Sequence, residues 1–120
     1  MPSVSISKNG TMRGVDNLRT YYSEFVRYCL RNYVKTLDEG RGGQPVFRTD
    51  AERENWSACH YVLNGCSQDI QDILIEIYRQ GDTIPDKIYQ LALTRRESQG
   101  KYWSLISKVE QKVAQKRGLI

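Results

Sequence analysis

Apolar side chains in this chain recur at three- and four-residue intervals in five separate stretches, and no stretch shows the convincing two-residue alternation of a strand. That periodicity restricts the chain to an all-α fold of about five helices. The first stretch runs through Leu18, Tyr21, Tyr22, Phe25, Val26, Cys29, Leu30, Tyr33, Val34 and Leu37, with Arg19, Glu24, Arg27, Arg31 and Lys35 between them. It predicts a long, aromatic-rich amphipathic helix over residues 16–38. Residues 1–15 are Ser-rich, carry Gly10 and Gly14 and show no period, so they are expected to form a flexible arm. The segment DEGRGGQPVF (38–47) holds three glycines and a proline, which marks residues 39–48 as a linker and the one subdomain boundary within a single helical domain, 16–120.

The remaining helices are delimited by their own end signals. Thr49-Asp50-Ala51-Glu52 has capping-box spacing, in which a hydroxyl meets the third amide and a carboxylate reaches back. The helix it opens turns Trp56, Cys59, Val62 and Leu63 inward and is expected to stop at Asn64-Gly65, with the glycine left-handed. Ser67 caps a third helix with the stripe Ile70, Ile73, Leu74, Ile77 and Tyr78, ended by Gly81. Asp82 and Thr83 can cap a fourth, with Pro85 in its first turn and Ile88, Leu91 and Ala92 on its buried side. A last helix starts at Ser98 and runs to about Arg117, with Gly118 beyond it. Its apolar arc is Tyr102, Leu105, Ile106, Val109 and Val113; Gly100, Lys101, Ser104, Ser107, Lys108 and Gln111 fall on the other side.

Charge is distributed unevenly along this pattern. The whole chain carries a net +4, yet residues 84–120 alone hold eight Lys or Arg against three acids. A basic tail third beside a near-neutral front is the electrostatic footprint of a domain that turns one part toward phosphate, although basic surface helices also occur in proteins that never touch nucleic acid. Apolar residues are 39% of the total, enough for a packed core and too many for wholesale disorder. No apolar run reaches the roughly 18 residues that span a bilayer, and the first ten residues lack the apolar centre of a signal peptide, so a bacterial cytoplasmic location without membrane attachment is expected.

Two consecutive helices separated by a tight turn, with a basic second helix, are what a DNA-reading helix-turn-helix requires. In residues 84–117 the small Ala92 permits close packing of the two, Ser98 stands six residues later as the cap of the second, and Tyr102 and Ile106 point back inward. The turn Thr94-Arg95-Arg96-Glu97 adds two arginines suited to backbone phosphates. From about Ser67 to Arg117 the stretch SQDIQDILIEIYRQGDTIPDKIYQLALTRRESQGKYWSLISKVEQKVA resembles the C-terminal helix-turn-helix of bacterial sigma factors. It is especially similar to the isolated, sigma-region-4-like copies found in small phage regulators of the ArpU type. The resemblance implies a sequence-specific DNA-binding transcription regulator of phage or mobile-element type, with double-stranded DNA as partner. By position it implies base or phosphate contacts for Gln99, Gly100, Lys101, Trp103, Ser104 and Lys108, alongside Arg95 and Arg96. Two departures stand out. The family's turn glycine is replaced by Arg95-Arg96-Glu97, and Gly100 sits inside the first turn of the recognition helix, where it either lets the backbone approach DNA or marks a later helix start. Trp103 lies at the border of the packed and open faces, available to the core or to a partner.

No other constellation carries chemistry. His60 has no orienting carboxylate or nucleophile at working spacing, so it is expected to be an ordinary helical histidine, and the chain is not expected to be an enzyme. Asp69, Asp72 and Glu76 are spaced as a solvated helix face. Cys29, Cys59 and Cys66 lack zinc-site spacing and are expected to be reduced, mostly buried thiols. No metal or cofactor is implied. The tyrosines of the first helix serve either as core with wet hydroxyl rims or as an aromatic face for a protein partner or for a homodimer through Tyr21–Tyr33. A second class of function stays open, because fold does not fix function and a basic helical surface can imitate or block nucleic-acid contacts on another protein: a protein-interaction module that uses the helix-turn-helix scaffold to contact a host machine such as RNA polymerase or a CRISPR-type defence nuclease.

Overall fold

The computed structural model describes residues 10–40 and 45–120, with side chains described from Tyr22 onward. Five helices follow one another: α1 (Gly10–Glu39), α2 (Asp50–Asn64), α3 (Gln68–Tyr78), α4 (Ile84–Arg95) and α5 (Gln99–Lys116). No strand occurs among the described residues. This is the all-α, five-helix architecture that the periodicity predicts.

Local chemistry explains where the helices begin. The Thr49 hydroxyl accepts from the Glu52 amide at 3.1 Å, Ser67 from Ile70 at 3.4 Å and Thr83 from Asp86 at 3.3 Å, each satisfying an amide that the first helical turn leaves without a partner. The Glu52 carboxylate reaches one residue further back than a standard capping box, to the Arg48 amide at 3.0 Å. At the other end of the chain Gly118 is left-handed (φ 78°), and the amides of Gly118 and Leu119 bond to the carbonyls of Gln115 and Ala114. That pattern closes α5 as a Schellman motif.

Three expectations need correction. Helix α1 starts at Gly10 rather than Asp16, because extending an existing helix costs little and no proline interrupts residues 10–15; the rest of the expected arm, 1–9, lies outside the described residues. Gly65 is right-handed (φ −77°), since the chain leaves α2 through tightened bonds from Gly65 to Val62 and from Cys66 to Leu63. On α5, Leu105 is half-buried, whereas Glu110 and Ala114 are buried, so the packed arc is turned toward Glu110 relative to the arc read from sequence. Of the linker, residues 41–44 lie outside the described residues; Phe47 beyond them packs on Trp56 with ring centres 5.7 Å apart.

Helix α1 lays Tyr22, Val26, Cys29, Leu30, Tyr33 and Val34 against α2, α3 and α5, so the long helix packs within its own chain. Tyr22 and Tyr33 go into the core, while Phe25 and Tyr28 stay exposed. The centre is closed by Leu74, Ile77, Tyr78, Ile88, Tyr102 and Ile106. Each fully buried Leu or Ile contributes about 2 kcal/mol through the water it sheds.

Polar groups inside this core are matched. Glu110 of α5 is 3% exposed, and its Oε2 accepts from the Tyr78 hydroxyl at 2.7 Å and from Arg27 Nε at 2.8 Å, tying α1, α3 and α5 at one atom. Burial, and then the adjacent carboxylate, pushes the Tyr78 phenol well above its usual range. Lys87 of α4, also buried, donates its ammonium to the carbonyls of Glu76 and Arg79, where the negative end of α3 would otherwise face the core without a partner. Arg79 in turn grips both Asp38 oxygens at 2.9 and 3.0 Å, sewing α3 to the end of α1 and holding the Asp38 carboxyl below its usual range.

His60 is stacked on Trp56 at 4.6 Å and lies 3.0 Å from the Tyr33 hydroxyl and 2.9 Å from the Asn64 amide, a set of partners that positions a ring between two helices. Cys29 and Cys59 are buried and Cys66 is half-buried, all unpaired; burial pushes the Cys29 thiol up to about 11 and Cys59 higher still.

Candidate nucleic-acid interface

Helices α4 and α5 are joined by only three residues, Arg96, Glu97 and Ser98. The turn is made without glycine. Arg96 takes the left-handed conformation (φ 55°, ψ 48°), and the Glu97 amide returns to the Ala92 carbonyl at 3.0 Å. That geometry ordinarily favours glycine, and a side chain there costs about 1–2 kcal/mol. The cost is set against Ala92, which is buried at the α4 end of the turn, and Tyr102, which is fully buried at the α5 end.

Ser98 occupies the N-cap position of α5 but makes no side-chain cap hydrogen bond, contrary to the expectation from sequence. The stabilising role passes to Glu97, whose carboxylate accepts from the Tyr102 hydroxyl and from Lys101. Those two bonds, the lysine first, hold the Glu97 carboxyl below the usual carboxylate range; burial, then the carboxylate, pushes the Tyr102 phenol up to about 12. Helix α5 has no acid in its first turn and no hydroxyl cap; Gln99 and Gly100 there are exposed, and the Lys101 amide bonds back to the Ser98 carbonyl at 3.2 Å. Because α5 is already helical at Gln99, Gly100 does not mark a delayed start. A Cβ built on it would meet nothing within 4 Å.

Seven of the eight residues expected to face DNA are exposed: Arg95, Arg96, Gln99, Gly100, Lys101, Ser104 and Lys108. Trp103 is half-buried and packs on the core cluster. Arg95, Lys101, Ser104 and Lys108 share one groove with Asp69 and Glu97. There two of the cations are already engaged: Arg95 with Asp69 at 3.0 Å and with Glu97 at 3.9 Å, and Lys101 with Glu97. Asp69, directly hydrogen-bonded to Arg95, holds that guanidinium more firmly protonated than usual.

Further along, the outer face of α5 continues through Lys108, Gln111, Lys112, Gln115 and Lys116, all exposed. Lys108, Lys112 and Lys116 succeed one another at four-residue spacing, so three like charges stand one above another. The one acid within α5, Glu110, points into the core. Lys116 sits over the Tyr61 ring of α2, 4.1 Å from its centre. Sequence reading placed neither Lys112, Lys116 nor Tyr61 in the site, although the four-residue repeat of lysines is visible in the chain itself.

Among the described residues no group of three or more His, Cys, Asp or Glu is placed to hold a metal ion, and no helix is long and apolar enough to cross a membrane. No protein-family model, no curated protein and no solved structure matches this chain, so the sigma-like resemblance stands on the residue pattern quoted above.

Proposed function

We propose that the chain binds double-stranded DNA through the α4–α5 helix-turn-helix, as a transcription regulator of phage or mobile-element type, with α5 as the helix received by the major groove. The observation that carries this reading is the sidedness of α5. Its solvent face holds Lys101, Lys108, Lys112 and Lys116, while its only carboxylate is turned inward. Eighteen residues make a helix about 27 Å long, enough to follow a groove across several base pairs. Gln99, Ser104 and Gln111 are exposed on it as hydrogen-bonding side chains that can address base edges.

A gel shift against a panel of duplexes, including the DNA upstream of the coding sequence, tests the reading. Binding should be clear at about 50 mM salt and weaken at least about tenfold by 200 mM, because each neutralised phosphate releases counterions. Absence of any shift at low salt refutes it.

A second reading is favoured by Tyr89 and Leu93, which lie one turn apart on α4 and remain 51% and 62% exposed. An apolar pair on a surface helix suits a protein partner such as RNA polymerase or a defence nuclease. Charge reversal at Lys101 and Lys108 separates the two: loss of duplex binding favours the first, and intact duplex binding with loss of a co-purifying protein favours the second.

A further inference from the structure

We propose that the phosphodiester backbone of the duplex runs in the groove between α5 and α2, held by Lys112 and Lys116 beside Tyr61, rather than over the turn that precedes α5. This inference rests on the DNA-binding reading above and assigns the surface that carries it. Two grooves flank the outer face of α5, and they differ in whether carboxylates line them. The groove on the α3 side contains Asp69 and Glu97, and of its cations only Lys108 has no carboxylate partner among the described residues. A phosphate entering there must displace a carboxylate from Arg95 or Lys101 and then sit beside it.

The groove on the α2 side is lined by Ser57, His60, Tyr61, Asn64, Lys112 and Lys116 among others, and by no acid. Glu54, further along α2, is tied to Arg117 at 3.2 Å. Tyr61 is 64% exposed, and its ring holds the Lys116 ammonium at the groove instead of letting it range through solvent. The lysine ladder Lys108–Lys112–Lys116 is self-repelling in the isolated chain, so a line of anions laid along it relieves a strain that the fold leaves uncompensated. Phosphates spaced along a nucleic-acid strand supply such a line, and tyrosine hydroxyls, amides and lysines are their usual partners.

Fluorescence anisotropy of a labelled duplex with the full chain decides the matter, comparing wild type with K112Q/K116Q and with R95Q/K101Q. Glutamine keeps the helix propensity and the side-chain stem, and circular dichroism confirms that each variant is folded. K112Q/K116Q should weaken binding at least tenfold and lower the slope of log affinity against log salt by about two, while R95Q/K101Q, whose cations are already paired with Asp69 and Glu97, should lose severalfold less affinity than that and lower the slope by less than about one. In wild type, the duplex should protect Lys112 and Lys116 from acetylation more than Lys101, a readout that needs no variant.

Equal losses in the two variants, loss confined to R95Q/K101Q, or protection confined to Lys101 overturns the assignment while leaving DNA binding intact. Failure of wild type to bind any duplex at low salt removes both this inference and the reading beneath it. Displacement of the duplex by poly-glutamate at equal charge concentration gives the groove to an acidic protein and overturns the nucleic-acid assignment.

Discussion

The two sides of α5 treat charge in opposite ways. On the inner side one carboxylate, Glu110, is shut away from water and satisfied by two donors drawn from two other helices. On the outer side four lysines are exposed, and three of them, Lys108, Lys112 and Lys116, have no ion-pair partner among the described residues. A buried charge without its partners is costly, whereas an exposed one is nearly neutral to stability. The contrast therefore separates residues that hold the molecule together from residues that remain available to something else.

The sharpest way to break the contrast is Arg27→Leu, which leaves the Glu110 carboxylate buried with the Tyr78 hydroxyl alone. It should cost about 3 kcal/mol and lower the melting temperature by roughly 10 °C in calorimetry, with duplex affinity unchanged at temperatures where the variant is folded. A loss under 1 kcal/mol would show that the inner carboxylate is not the fixed point described. Arg96→Gly comes next. Removing a side chain from a left-handed residue should raise stability by about 0.5–1 kcal/mol, since relief of strain exceeds the added freedom of the unfolded chain. A decrease would mean that the arginine makes a compensating contact.

Lys108→Glu tests the outer side. It replaces a repulsion with an attraction to Lys112 and should stabilise the chain by up to about 0.5 kcal/mol in urea titrations while weakening duplex binding severalfold. Stability and binding moving together would erase the distinction between the two faces. The smallest effect is expected of Asp69→Asn. Freeing Arg95 from an exposed ion pair should leave stability within about 0.5 kcal/mol and tighten duplex binding two- to threefold, read in the same anisotropy assay.

Helix number and most helix ends were legible in the sequence because they depend on neighbours a few residues away: Thr49, Ser67 and Thr83 cap with hydroxyls, Pro85 starts a helix and Gly118 ends one. What escaped depends on distant partners. Glu110 and Lys87 look like surface residues in a linear pattern, and only the Arg27 and Tyr78 donors, or the carbonyl end of α3, make their burial tolerable. A wheel of α5 does place Glu110 about 40° from Ile106, a hint that an apolar-only arc discards. For the same reason, the exposure of the basic face could be read from periodicity, but its internal neutralisation could not. The Asp69–Arg95 pair joins residues 26 positions apart, and the left-handed Arg96 carries no glycine to announce it.

The inward carboxylate of α5 has a geometric consequence for everything on the opposite side. A helix packed by greasy contacts alone can roll about its long axis at modest expense, since one aliphatic knob substitutes for another. Anchoring a single oxygen to a guanidinium and a phenol removes that freedom: a roll of one residue, about 100°, would strand an anion among hydrocarbons. The compass bearing of the lysine row is thus dictated from within, by the one side chain that any visiting polyanion would repel and can never reach.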